Sequence, residues 1–278
     1  MNDQNLEHRR RFAEEIAVVG GIKSATLLRA FSVLRREEFL PPPPWIVEDL
    51  EGTYYLAEDT SVSWILHAVG VCLDIKRRLN SANPALIARF LEATDVQPGE
   101  RVFHVGAGFG YFSAILAELV GKSGHVIASE IDPDLQPHAR RNLAAFETVE
   151  VVGDALAYQL PPVDVIFVSA GMSDIPSAWT SALRTGGRLL VPLTGTLESG
   201  HVFLFRKTTD AAWFEARRLK FSRFYSCASS RHSAEMKAID QMIAAPGLQA
   251  IKWLRLDAHD QQANCWLHRE NWCICLEK

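Results

Sequence analysis

The stretch R-V-F-H-V-G-A-G-F-G-Y-F-S-A-I-L-A-E-L-V-G-K-S-G-H-V-I-A-S-E-I-D-P-D, Arg101 to Asp134, constrains the fold more than any other part of this chain. Its apolar run Arg101 to Val105 reads as a strand, and Gly106, Gly108 and Gly110 punctuate the turn that follows. Phe112 to Val120 has helical character, Gly121 to Gly124 closes it, and His125 to Ser129 forms a second strand that delivers Glu130 to the carboxyl edge of a sheet. Strand, glycine loop, helix, strand and terminal acid is the order in which an α/β sheet builds a nucleoside crevice, and a carboxylate at that edge accepts hydrogen bonds from both ribose hydroxyls.

The glycine spacing discriminates between nucleoside ligands. A dinucleotide fingerprint is G-x-G-x-x-G, with its last glycine where this chain has Tyr111; the loop here is G-x-G-x-G. S-adenosylmethionine is therefore a better candidate than NAD. It has no pyrophosphate, so the helix N-terminus needs only to face a carboxylate.

Downstream, strands alternate with helices: Arg101 to Val105, Val126 to Ser129, Val149 to Val152, Asp164 to Ser169 and Gly187 to Pro192, separated by helices at Tyr111 to Val120, Leu135 to Phe146 and Ser177 to Leu183. That alternation predicts a parallel doubly wound sheet. His201 to Lys207 and Phe214 to Arg223 read as an antiparallel pair finishing it. Ser233 to Ala245 reads as a helix, and Ala250 to Asp257 with Asn264 to Leu276 as extra strands. Upstream, Leu6 to Leu34 carries two helical patterns broken at Gly20 and Gly21. The proline run Pro41 to Pro44 ends any helix there. Trp45 to Asp59 reads as irregular, Ser63 to Asp74 as a strand or buried helix, and Asn80 to Pro84 as a turn capping a helix from Pro84 to Ala93. Three regions are expected: 1–99, helical and loop-rich; 100–225, the nucleoside-binding sheet; and 226–278, a C-terminal α+β extension packed on it.

Composition narrows the partners. Lys and Arg number 29 against 33 acids, a net charge of -4, so no global field draws the chain to nucleic acid or an anionic membrane. The opening residues lack a secretory leader and no window reaches the length of a membrane span, which leads to a cytoplasmic expectation. An odd total of five cysteines argues against a disulfide framework. Cys265, His268, Cys273 and Cys275 cluster in sequence, but C-W-L-H-R-E-N-W-C-I-C-L alternates like two strands around a polar turn and contains no C-x-x-C knuckle. No metal site is expected.

These residues resemble the protein-L-isoaspartate O-methyltransferases, within the class I S-adenosylmethionine-dependent methyltransferases. V-G-A-G-F-G-Y-F-S-A-I-L-A-E-L-V-G is similar to that family's first cofactor motif, Tyr111 included, and V-E-V-V-G-D-A to the motif whose acid, here Asp154, contacts the adenine amino group. D-V-I-F-V-S-A-G-M-S-D-I-P and L-R-T-G-G-R-L-L-V-P-L-T-G are similar to the fourth and fifth strand motifs, and L-R-R-E-E-F-L-P and N-P-A-L-I-A-R-F-L to the entry segment and the helix before the first motif. The chain departs at His104, where the family usually has an acid, and at Asn80 to Asn83, where a Thr-Ile-Ser-Gln signature is usual and Ala82 takes the serine's place.

The resemblance implies a Rossmann-like class I methyltransferase sheet with an antiparallel final strand, and S-adenosylmethionine held by His104, Gly106, Ala107, Gly108, Gly110, Tyr111, Glu130, Ile131, Asp154 and Ala155. It implies O-methylation of a carboxylate on a peptide, protein or small molecule. Such an acceptor is ionised at neutral pH and needs no general base, whereas a phenol would. Ser81 and Asn83 either orient that carboxylate or cap the helix at Pro84. Trp45, Trp64, Tyr54 and Tyr55 either wall an acceptor pocket or belong to the core. Asp132 reads as a helix cap and His104 as a hydrogen-bonded strand-end histidine or a neighbour of the methionine moiety. The competing readings are an RNA or tRNA base methyltransferase and a cofactor-binding protein without transfer activity.

Overall fold

The computed structural model describes residues 5–49, 52–230, 232–244 and 248–278. Along the chain run α1 (Leu6–Gly20), α2 (Ala25–Val33), β1 (Ile46–Glu48), β2 (Tyr54–Leu56), β3 (Gly70–Asp74), β4 (Leu79–Ser81) and α3 (Pro84–Thr94). Next come β5 (Arg101–Val105), α4 (Tyr111–Val120), β6 (His125–Ser129), α5 (Gln136–Leu143), β7 (Val149–Val152), β8 (Val163–Val168), α6 (Ser177–Ala182), β9 (Leu183–Thr194), β10 (Ser199–Lys207) and β11 (Trp213–Arg223). The chain closes with α7 (Ser233–Ala244), β12 (Trp253–Arg255), β13 (Cys265–His268) and β14 (Cys273–Cys275). Ala245, the last residue of the helix expected from Ser233, lies outside the described residues.

Two compact units emerge, and they interleave along the chain rather than following the linear division into 1–99, 100–225 and 226–278. One comprises 1–99, 107–126 and 132–151; the other comprises 100–106, 127–131 and 152–278.

In the first unit, α1 and α2 meet through Phe12 and Phe31, edge-to-face at 6.0 Å, and Phe31 in turn meets Tyr111 at 6.2 Å. Ser24 caps α2 by accepting from the Leu27 amide, and α3 starts at Pro84 with Asn83 as its cap. Trp45 to Asp59, expected to be irregular, instead contributes β1 and β2 to a four-stranded antiparallel sheet ordered β2-β1-β3-β4. Asn80 and Ser81, expected in a turn, belong to β4. Strands of three residues leave almost no periodicity to read. Arg36 carries the packing at this end: its buried guanidinium donates to the carbonyls of Ile65 (2.6 Å), His67 (3.2 Å) and Val69 (2.9 Å), tying down the approach to β3. Burial lowers its pKa to about 10, which leaves it charged at neutral pH.

The ten-stranded sheet is ordered β13-β14-β12-β11-β10-β9-β8-β5-β6-β7. In the second unit β5, β8 and β9 are parallel, and from β9 outward through β10, β11, β12, β14 and β13 every neighbour is antiparallel. Phe103, Ile166, Leu189 and Val191 of the parallel strands share one core with Ile239 and Met242 of α7, with Leu254, Leu267 and Ile274 of the last strands and with Trp272 just before β14. A bidentate pair, Arg188 to Glu100 at 2.6 and 2.8 Å, secures the start of β5 against β9. No described helix is long and apolar enough to cross a membrane.

Candidate cofactor site

In the sheet order, β5 is flanked by β8 on one side and β6 on the other, so the chain reverses its direction of winding between β5 and β8. Ligands of open α/β sheets bind outside the carboxyl ends of the strands at such a switch point. The second unit brings Gly106, Ser169, Glu130 and Asp154 to those ends.

Gly106 leaves β5 with φ 84°, and its amide donates to the Ser129 carbonyl at 2.9 Å. Glu130 follows β6 and is 6% exposed; its amide donates to Val152 at 3.1 Å, and Ser129 Oγ donates to the Gly153 carbonyl at 2.5 Å. These bonds hold Glu130 and Asp154 at neighbouring strand ends. Asp154 Oδ1 accepts from the Leu156 amide (3.0 Å) and from Ser229 Oγ (3.0 Å). Ser229 is a partner that sequence reading missed, because it lies 75 residues away. It is delivered by a backbone stitch in which Gly171 donates to Tyr225 (2.7 Å) and Cys227 donates back to Gly171 (2.8 Å).

Ala155 is buried, whereas Ile131 and Leu156, each just beyond a strand-end acid, are apolar yet 40% and 37% exposed. Leu156 was not among the expected site residues. Its signal was the apolar residue two places past an acid, which parallels Ile131 one place past Glu130.

His104 was expected among the cofactor residues. It is 0% exposed, its Nε2 shares a 3.0 Å hydrogen bond with Ser169 Oγ, and its ring meets Phe167 edge-on at 5.7 Å. Burial lowers its pKa to about 3, so the imidazole is neutral. The hydrogen bond expected of a strand-end histidine is formed. As the family's acid position lies inside the sheet, a neutral imidazole avoids an unpaired buried charge there.

The first unit carries the remainder of the glycine loop. Gly110, at φ 99°, opens α4, and a Cβ on it would lie 2.9 Å from Leu143 Cδ1. Ala107 is buried and its carbonyl accepts from the Gly110 amide at 2.9 Å. Leu73 of β3 comes within 3.6 Å of where a Gly108 Cβ would stand. Arg77, in the β3–β4 turn, bonds Asp74 (2.6 Å) and Asp132, and reaches Asp134 at 3.5 Å. Asp132, expected to cap the helix, instead closes the turn before it: its Oδ1 accepts from the Asp134 and Leu135 amides, and the N-cap of α5 is Leu135, without a side-chain bond.

Three expected residues lie in the first unit and contact the protein itself. Tyr111 is 2% exposed, with its ring against Phe31 and Phe39 and under the Arg36 guanidinium at 5.8 Å. Asn83 spends its amide on structure, its oxygen accepting from Ala85 (2.9 Å) and Leu86 (3.3 Å) and its nitrogen donating to the Ala68 carbonyl. Ser81 sits in β4 opposite Val71. Of the aromatic residues, Trp45 is core and donates to Pro41 at 2.9 Å, whereas Trp64 is half-buried, donating to Asp59 at 3.0 Å, and Tyr55 is exposed.

Comparison with known proteins agrees with this geometry. Residues 53–232 match the model of the family Protein-L-isoaspartate(D-aspartate) O-methyltransferase (PCMT). The protein-L-isoaspartate O-methyltransferase of Methanopyrus kandleri is 33% identical over 209 residues, covering 73% of this chain and 83% of that protein. A solved protein-L-isoaspartate O-methyltransferase superposes with TM-score 0.67 at 25% identity, covering 84% of this chain and 69% of that one. A Plasmodium falciparum structure, described as a putative member in complex with S-adenosyl-L-homocysteine, shares the fold at TM-score 0.60 and 17% identity over 78% of this chain and 97% of its own. With a strand-end acid pair, a G-x-G-x-G loop and a match over most of its length, the chain belongs to the protein-L-isoaspartate(D-aspartate) O-methyltransferase family.

Proposed function

We propose that this S-adenosylmethionine-dependent methyltransferase esterifies a carboxylate of peptides or proteins, an isoaspartyl residue being the acceptor its family points to. The observation that carries the cofactor half is the pairing of Glu130 and Asp154 at neighbouring strand ends, each followed by an exposed apolar side chain. That donor set suits a nucleoside: a carboxylate for the ribose hydroxyls, a second for the adenine amino group, and Ile131 and Leu156 for the faces of a purine. In the first unit the glycine loop ends at the N-terminus of α4, the end of a helix that favours a carboxylate.

When bound, S-adenosylmethionine supplies an electrophilic methyl group on a sulfonium. The residues of the chain bind and orient. A carboxylate acceptor, with a pKa of about 4 in solution, is already a nucleophile at neutral pH, so no side chain has to take a proton from it. The neutral His104 and the capping role of Asn83 are compatible with such chemistry, because neither is asked to act as a base. We place the enzyme in the cytoplasm, a reading supported by five cysteines that are all free.

The test is transfer of labelled methyl groups from S-adenosylmethionine to an isoaspartyl peptide and to its aspartyl isomer, scored as base-labile methanol. Label on the isoaspartyl peptide alone is expected. Equal labelling would broaden the acceptor to peptide carboxylates in general, and no label on either would reject peptide esterification.

A further inference from the structure

The C-terminal hairpin brings together a set of side chains that the methyltransferase reading leaves unused. The ligand atoms of His259, Cys265, His268 and Cys273 all lie within 4.8 Å of one another. We propose that these residues form a structural zinc site, Cys2His2, stapling the loop after β12 to the β13–β14 hairpin.

The register explains how four residues from two strands and a loop converge. Cys273 and Cys275 are two apart on β14 and share a face. Opposite them in β13 stand His268 and Cys265, which are three apart and in a regular strand would point to opposite faces. A bulge between Cys265 and Leu267 inserts the extra residue that restores parity, so both return to the face of Cys273 while Leu267 and Ile274 enter the core. His259 then approaches from the loop, its Nε2 being 3.5 Å from Cys265 Sγ.

Several details fit a tetrahedral ion. Zinc–sulfur bonds of about 2.3 Å and zinc–nitrogen bonds of about 2.0–2.1 Å put ligand atoms about 3.4–3.8 Å apart around a tetrahedron, close to the separation of His259 and Cys265. The Nδ1 of His259 is 2.8 Å from the Asp257 carbonyl, and donating there leaves the Nε2 lone pair turned to Cys265. Metal-bound histidines are habitually oriented by this kind of outer hydrogen bond. Cys265 Sγ accepts from the Gln262 amide at 3.2 Å, which stabilises a thiolate. His268 Nδ1 is buried and makes no hydrogen bond to the protein, a costly arrangement unless something else engages it. Two thiolates neutralise a divalent cation, and four protein ligands leave no open position, which makes the site structural rather than catalytic. Cys275, whose sulfur lies 3.3 Å from that of Cys273, is a neighbouring thiol outside the set.

The experiment uses the full chain purified under reducing conditions without added metal. Elemental analysis is expected to find about one zinc per chain. After chelation, cobalt(II) titration should give the visible ligand-field bands and thiolate charge-transfer absorption of a tetrahedral S2N2 site. Cys265→Ser and His259→Ala should each lower metal affinity at least about tenfold, while Cys72→Ser, remote from the cluster in sequence, keeps the full complement. Should the variants fail to fold, the cobalt spectrum of the wild-type chain still decides. Absence of both zinc and cobalt uptake in reduced wild type would overturn the proposal. So would variants that retain the metal, or a native Cys273–Cys275 disulfide in the non-reduced intact mass.

Discussion

Glu130, Gly110 and His104 each make a residue-scale expectation. A carboxylate that accepts from ribose hydroxyls contributes about 1.5–3 kcal/mol, so Glu130→Gln should weaken S-adenosylhomocysteine binding by about 10- to 150-fold in calorimetry. An unchanged affinity would remove Glu130 from the site. Gly110→Ala meets two penalties, the positive φ and the 2.9 Å approach to Leu143, and should cost about 1–3 kcal/mol in a urea titration. Adding Leu143→Ala removes the overlap but opens a hole and leaves the backbone strain, so full recovery would contradict the assignment. His104 and His201 titrate near pH 6.5 when unfolded but at about 3 and about 4 in the fold, through burial. Below about pH 6.5 the unfolded chain therefore binds more protons, and stability present above that pH is lost progressively toward the folded values. Urea midpoints measured from about pH 7 to about pH 4.5 should fall, and fall less steeply in His104→Asn, with His201 and the burial-depressed His138 sustaining what remains. An equal slope in the variant would show that His104 does not drive the loss.

At the scale of elements, the parallel strands and the helices between them were legible because each carries its own punctuation. Arg101–Val105, Tyr111–Val120 and Val149–Val152 fall where the pattern put them, bounded by glycines and polar turns. Of the sheet of β1 to β4, only β3 falls in a stretch read as a strand or buried helix; β1, β2 and β4 were not legible. Its three-residue strands are stabilised by neighbours such as Val47 opposite Val71, not by any pattern of their own. Asn83 shows the same limit: its type announced both a cap and an acceptor ligand, and only its bonds to Ala85, Leu86 and Ala68 chose the cap. Asn83→Ala should accordingly lower the melting temperature, costing about 1–2 kcal/mol, while leaving KM for the methyl acceptor within about twofold. A large rise in that KM with stability unchanged would restore the acceptor role.

For the molecule as a whole, the C-terminal extension is not an appendage. Met242, Leu254, Leu267, Trp272 and Ile274 complete the core that Phe203, Phe205 and Phe214 begin, and Trp272 Nε1 donates to Asp174 at 2.6 Å. Ending the chain at residue 245 would strip Leu254, Leu267, Trp272 and Ile274 from that core and leave Trp213 to Glu215 of β11 without their β12 partners. That truncation should be poorly soluble and melt well below the full chain in a thermal scan, whereas a soluble fragment of equal stability would make the extension a separate module. The sequence by itself determined the cofactor fold, because glycine conformation, apolar periodicity and strand-end acids are short-range properties written into consecutive residues. Tertiary structure alone decided that Ser229 supports Asp154, that Tyr111 turns into the core, and that Cys265 and His268 share a face. Those outcomes depend on strand register, one bulge and contacts between residues far apart in the chain, for which local sequence carries no signal.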